Sequence, residues 1–290
     1  MRNEKNIGII MIILASLLFG FAGVFNVITN LPAITQSFYR FLIATIVIFL
    51  IALLKNNNLR INKADTWKVI LIGFFTFVTA YSVNEAVLNI EIGPSIFIMY
   101  LAPIIVCVLA PIFLKEKKFK YVWLSIFIAL SGIFLITLPW DNTNIRYIGY
   151  IWASISSISF SAIIMISRSL SEKYSAVTST FWRTSLSFIF ILPFFIYSSK
   201  HIVSVEQLGI IAAMSILVSV LATIIFFYGI KKVSSQDSSI ILYLEPVASI
   251  IYARIFLNQD ISPLNLLGIS LIIIAVYILY REQKMSVLKK

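Results

Sequence analysis

Two glutamates and three arginines lie inside long apolar runs: Glu85, Glu245, Arg40, Arg183 and Arg254. Ionisable groups are costly in hydrocarbon and tend to face protein or a water-filled space there. Glu245 precedes Pro246 in "ILYLEPVASIIYARIFL" (Ile241–Leu257). Its carboxylate is suited to holding a cationic group or a proton. It is equally suited to accepting hydrogen bonds from helix ends freed by Pro246, and this structural or gating role is the expectation. Glu85 lies in "AYSVNEAVLN" (Ala80–Asn89), one helical turn from Tyr81. Tyr81, Glu85 and Tyr100 are expected to form a polar, aromatic patch at a substrate site, with the Glu85 charge state following transport; a hydrated interfacial Glu is the plainer reading. Asn84 points about 100° away on a helix. Arg40 and Arg183 are expected to orient helices through backbone carbonyls or headgroups, and Arg254 to reach the outer interface. Ser157 and Ser161 share one face of a serine-rich run and serve either close packing or a cavity lining.

These residues must be positioned by membrane-spanning elements. The chain has 290 residues, 60% hydrophobic and 12% charged, against about 25% charged in soluble domains. A bilayer core takes ~20 apolar residues per helix. Ten such runs are present, at 7–28, 34–54, 68–90, 94–114, 120–138, 147–167, 176–197, 207–230, 238–257 and 263–280. The first is read as a spanning helix rather than a cleaved signal. Lys and Arg concentrate in alternate gaps, with 18 of 23 on one side. The sparse side holds only Arg146 and Lys200. The positive-inside rule then places both termini in the cytoplasm. This topology accounts for the net charge of +11 without nucleic acid. The one cysteine, Cys107, lies in an apolar run and reads as packing. With one His, no phosphate loop, no metal cluster and no paired nucleophile, neither an enzyme nor a cofactor is expected.

An offset of 143 residues lays "YLAPIIVCVLAPIFL" (Tyr100–Leu114) on "YLEPVASIIYARIFL" (Tyr243–Leu257), with seven identities in fifteen. Tyr100 meets Tyr243, Pro103 meets Pro246, Arg40 meets Arg183, and Glu85 meets Tyr228. Pro103 and Pro246 are expected to bend their helices around a cavity. Five spans per half force the halves to face opposite ways. The fold expected is therefore an all-α integral membrane protein of ten transmembrane helices, as two inverted five-helix repeats over 1–142 and 143–290. Inverted repeats build many secondary transporters, with the substrate near the midplane.

"YLEPV" (Tyr243–Val247) with "IFLNQ" (Ile255–Gln259), "LAPIIVCVLAPIFLKEK" (Leu101–Lys117) and "YRFLIA" (Tyr39–Ala44) resemble the ninth, fourth and second helices of the EamA-type family in the drug/metabolite transporter superfamily. The resemblance covers nearly the whole chain. It implies a central cavity lined by helices 1, 3, 4, 6, 8 and 9, with helices 5 and 10 peripheral, and alternating access without nucleotide hydrolysis. Asn84 and Glu85 depart from the family's more usual aromatic or small residues. The expected function is a secondary carrier in the cytoplasmic membrane for an amino acid, a similar polar or amphipathic solute, or a drug, proton-coupled through Glu85. The substrate-binding set comprises Tyr81, Glu85, Tyr100, Ser157, Ser161, Tyr228, Tyr243 and Glu245. Pro103, Pro246, Arg40 and Arg183 have gating or structural roles. Expected partners are a small-molecule substrate and membrane lipid, with no nucleic acid, in a monomer or homodimer. The alternative is a lipid-handling or sensor protein on the same scaffold.

Overall fold

The computed structural model describes residues 2–90, 92–116, 120–138, 147–198 and 201–288. The boundary expected between 142 and 143, and Lys117, Lys118, Arg146, Lys200, Lys289 and Lys290 of the charge pattern, lie outside them. Ten helical segments follow the ten apolar runs: α1 (Arg2–Thr29), α2 (Ala33–Leu54), α3 (Thr66–Asn89), α4 (Ile92–Phe113), α5 (Lys120–Thr137), α6 (Tyr147–Ser171), α7 (Ala176–Tyr197), α8 (Val205–Ile230), α9 (Ser235–Leu257) and α10 (Pro263–Leu288). Nine are long and apolar enough to span a membrane, and α5 is a shorter apolar helix. Helices suit this composition because they satisfy their own backbone groups where water is absent. Large apolar side chains such as Leu54, Phe113, Phe127 and Tyr277 stand exposed on the outer surface, where lipid would cover them.

The ends are set by local chemistry. Ser175, Ser204 and Ser234 cap α7, α8 and α9 through their hydroxyls, and Ser204 forms a reciprocal capping box with Gln207. α1, α2, α4 and α9 are followed by Asn30, Asn56, Lys115 and Asn258, all in the left-handed conformation that stops a helix. Four helices run past their apolar stretch: α1 starts at Arg2, α6 reaches Ser171, α9 starts at Ser235 and α10 reaches Leu288. Hydrocarbon thickness does not limit a helix whose polar ends stand in water.

Helix partners come in pairs related by the repeat. α2 packs on α7 and α5 on α10; α1 packs on α8 and α9, as α6 packs on α3 and α4. α5 and α10 meet at facing glycines. A Cβ on Gly132 would lie 2.6 Å from the Gly268 carbonyl oxygen, and one on Gly268 would lie 2.5 Å from that of Gly132. Neither distance is physically tolerable, so only glycine permits this approach. Gly132→Leu is expected to separate the two helices and lower stability by about 1–3 kcal/mol, read as a fall in the thermal midpoint of detergent-purified protein.

Candidate functional site

α4 and α9 are each broken in mid-span. α4 turns at Tyr100–Leu101, between Ile92–Met99 and Ala102–Phe113; α9 turns at Leu242–Tyr243, between Ser235–Ile241 and Leu244–Leu257. Each turn lies just before a proline, Pro103 or Pro246, which has no N–H to donate back. The chain tightens there to three-residue steps: Ile104 N donates to Leu101 O at 3.0 Å, and Glu245 N to Leu242 O at 3.0 Å. Carbonyls left over find side chains. The Tyr243 hydroxyl donates to Tyr100 O at 2.9 Å, so the two repeat-related tyrosines close one break. Ser16 of α1 donates to Ile241 O at 3.3 Å. α8 loosens instead, with a π-helical stretch at Ser215–Ala222, a distortion common at functional sites.

Between the halves lies a cavity of about 600 Å³, within the usual range for small-molecule sites. Eight helices contribute to it, through residues such as Phe19, Arg40, Asn84, Ile96, Phe160, Arg183, Ser219 and Glu245. The six-helix lining implied by the resemblance is thus extended by α2 and α7, because their arginines reach inward. α5 and α10 supply none of the lining residues. The cavity reaches Asn26, Val27, Ala33 and Ile92, near the α1–α2 and α3–α4 ends of the bundle, while its lining in α9 stops at Leu242 and Glu245.

Three of its lining residues carry charge: Arg40, Arg183 and Glu245. Arg183 Nε donates to Thr76 Oγ1 at 3.1 Å. Arg40 makes no hydrogen bond to the described residues; its Nε is enclosed without a partner, and its guanidinium lies 4.7 Å over the Phe41 ring. Tyr100 and Arg183 both lie within interaction range of the Glu245 carboxylate, and Arg183 within electrostatic reach of Arg40.

The remaining sequence-derived residues are distributed differently. Tyr81 meets Glu85, and its ring packs against Phe194 at 5.3 Å and Trp152 at 5.7 Å, outside the cavity lining. The lining stripe of α3 is Thr76, Ala80, Val83, Asn84 and Val87, a helical repeat that leaves positions 81 and 85 one step round. The expected Tyr81–Glu85–Tyr100 patch is therefore split: Tyr100 is buried against Tyr243 beneath the cavity floor, near Glu245, which lines it. Ser157 and Ser161 are buried in α6, where Ser161 bonds back to Ile158 O at 2.7 Å; α6 faces the cavity through Phe160, Ile163 and Ile164. Tyr228 is half exposed on the outer surface. Arg254 pairs with Asp260 at 2.6 Å.

Sequence reasoning missed a second cluster, at the end of the bundle opposite the mouth. Asp65, 4% exposed at its side chain, accepts from Lys173 Nζ at 2.9 Å and the Tyr174 hydroxyl at 2.9 Å, with Lys68 at 3.4 Å. This carboxylate holds the Lys173 ammonium above its ordinary value. Glu116 accepts from the Ser235 and Gln236 backbone N–H groups at 2.7 and 3.4 Å, at the start of α9. Arg168 donates to Ile230 O and Lys231 O, at the end of α8. Apart from Lys68 and Arg168, these contacts join residues before 139 to residues after 146. Their only sequence signal was the Lys115-Glu116 pair within a longer motif.

A ten-helix membrane protein with an internal cavity between two related halves defines the class of solute carriers built on inverted repeats. The chain belongs to the EamA-like transporter family, whose model matches twice, over residues 6–138 and 147–281. An uncharacterized transporter, YxxF of Bacillus subtilis, is 24% identical over 98% of this chain and 93% of its own length. An uncharacterized transporter of Archaeoglobus fulgidus is 27% identical over 77% of this chain and 81% of its own. A solved structure titled only "Crystal structure of protein" shares the fold with a TM-score of 0.81 at 14% identity, covering 93% of this chain and 95% of that one. The chain is thus a multi-pass membrane transporter whose partners are a small-molecule substrate and membrane lipid.

Tyr243→Phe keeps the ring and removes only the bond to Tyr100 O. It is expected to cost about 1–2 kcal/mol, the range for a buried carbonyl left unpaired, measurable as reduced thermal stability with the fold retained.

Proposed function

We propose that this chain is a secondary carrier of the cytoplasmic membrane that moves a small solute by alternating access, with both termini in the cytoplasm. The observation that carries the reading is the inequality of the two ends of the cavity. One end reaches the helix ends around Asn26 and Ile92. The other is latched by contacts between the two halves, chiefly Asp65 with Lys173 and Tyr174, and Glu116 with the start of α9. With the basic connections in the cytoplasm, this is the outward-open state, and release of the latch gives the inward-open one.

The contacts to the buried Asp65 carboxylate and to the half-buried Glu116 carry the latch, although Lys173 itself is half exposed. The exposed Lys232–Glu4 pair at 2.6 Å contributes little, as surface ion pairs generally do. The raised Lys173 value sets the sign of its pH dependence. A cation favoured by its folded partner stabilises at every pH below its unfolded value and loses that contribution as pH rises through the folded value. The Lys173–Asp65 part of the latch therefore holds at neutral pH; it fails on the alkaline side above the ordinary 10.5 as Lys173 deprotonates, and on the acid side below the ordinary 3.8 as Asp65, held down by Lys173, takes up a proton. Any coupling proton is placed at Glu245, which lines the cavity, rather than at Glu85.

Flux supplies the first test. Proteoliposomes should show saturable counterflow of one solute class without ATP, and flux of no solute across a broad panel overturns the reading. A second test uses Ser238→Cys, a buried position on the latched half of α9, with Cys107 also buried. Asp65→Asn should raise labelling of Cys at 238 by about tenfold, the population shift expected from losing a charge-assisted contact. Unchanged labelling would mean that Asp65 does not hold this end shut.

A further inference from the structure

Deepening the carrier reading, on which it rests, we infer that the cavity takes an oxyanion, a carboxylate or phosphate group borne on an apolar body, and holds it between Arg40 and Arg183. Arginine stays protonated in proteins, so the lining carries a net positive charge whether Glu245 is ionised or not. Arg40 and Arg183 are like charges within electrostatic reach of each other, and neither forms an ion pair with a described residue. Their side chains make one hydrogen bond to the described residues, Arg183 to Thr76, and one aromatic contact, Arg40 over Phe41. Each guanidinium offers five N–H donors in a planar fork matched to carboxylate and phosphate. Two desolvated cations that share one carboxylate, Glu245, without a direct ion pair to it are an unfavourable state for an empty cavity, and an entering oxyanion lowers the penalty.

Placement supports the same assignment. Arg40 lies seven residues into α2 from Ala33, and Arg183 seven residues into α7 from Ala176. At 1.5 Å per residue each stands about 10 Å from its helix start. The two starts are at opposite ends of the bundle, so the halves contribute one cation each, about a third of the way in from either end, with side chains that reach the shared cavity. Purely architectural arginines would be bonded to helix-end carbonyls, as Arg168 is to Ile230 and Lys231. Most of the remaining wall is apolar, with Phe19, Val83, Ile96, Met99, Phe160 and Phe226, interrupted by neutral polar groups such as Gln36 and Asn84, which suits a largely apolar body. Glu245, on the floor beside Tyr100, limits the positive field and opposes an anion that goes deeper.

The test is binding to purified protein in nanodiscs of matched probes with one phenylalkyl body: 3-phenylpropionate, 3-phenylpropyl phosphate, 3-phenylpropanol and 3-phenylpropylamine. At least one acid should bind about tenfold or more tighter than the alcohol, as charge-assisted bonds are stronger than neutral ones, and the amine weakest. The stronger acid names the oxyanion. Arg183→Gln and Arg40→Gln should each erase the preference. Glu245→Gln should tighten acid binding, an effect that misfolding cannot imitate. Equal binding of acid and alcohol, preference for the amine, no acid binding, or weaker acid binding in Glu245→Gln each overturns the inference. Flux is read separately. Acid selectivity without counterflow keeps the anion site and removes the carrier; counterflow of neutral or cationic solutes alone keeps the carrier and removes the anion site.

Discussion

Inside a hydrocarbon slab every backbone N–H and C=O must find a partner within the protein, and the architecture follows from meeting that demand at the two places where helices are interrupted. Pro103 and Pro246 each withhold a donor in mid-span. The freed carbonyls are not left to lipid: the Tyr243 hydroxyl takes Tyr100 O, and Ser16 takes Ile241 O. Because Tyr243 and Tyr100 are repeat counterparts, the interruption in one half is closed by the equivalent residue of the other. The two halves are thereby joined at the cavity floor, and Glu245 is held where it meets both Tyr100 and the cavity.

From that floor the molecule divides into two environments. Upward, the walls are mainly apolar, with scattered neutral polar groups and three ionisable side chains. Downward, carboxylates, lysines and an arginine bridge helix ends in a region where water is near. The difference follows the cost of charge: a network of partly hydrated ion pairs is tolerated at an interface, whereas in the membrane interior each charge needs a specific reason. Arg254 fits the outer interface, since it pairs with Asp260 next to the α9–α10 connection.

The ten spans, their turning points and the two-fold relation were legible in the sequence because each rests on a long-range average: hydropathy over twenty residues, Lys and Arg bias over every gap, and a constant offset of 143. What depended on phase within a helix was not legible. α3 carries polar residues on several faces of its second half, Thr76, Thr79, Tyr81, Ser82, Asn84 and Glu85, so hydropathy does not distinguish the face carrying Asn84 from the next one carrying Glu85, and only packing against α6 and α7 fixes it. Arg40 and Arg183 were visible as a matched pair, yet whether they turn to a carbonyl or to open space is a tertiary fact. The latch was hidden for another reason. Asp65 and Glu116 lie in connections that look like ordinary solvated loops, and their partners lie 108 to 120 residues away.

A duplicated frame would be expected to treat its two ends alike, and this one does not. The positions equivalent to Asp65, Glu116 and Arg168 are Leu208, Gln259 and Phe25. If the proposed alternating access holds, the unladen molecule would have unequal resting populations. Encounter with solute at the unlatched mouth is set by diffusion, whereas encounter from the other side waits on spontaneous opening. Such asymmetry rectifies the rate of capture without altering the equilibrium that flux approaches, since microscopic reversibility binds both directions of the cycle. Differences at three repeat-related positions, two latch residues in the first half and one in the second, would be enough to give a symmetric fold a kinetic front and back.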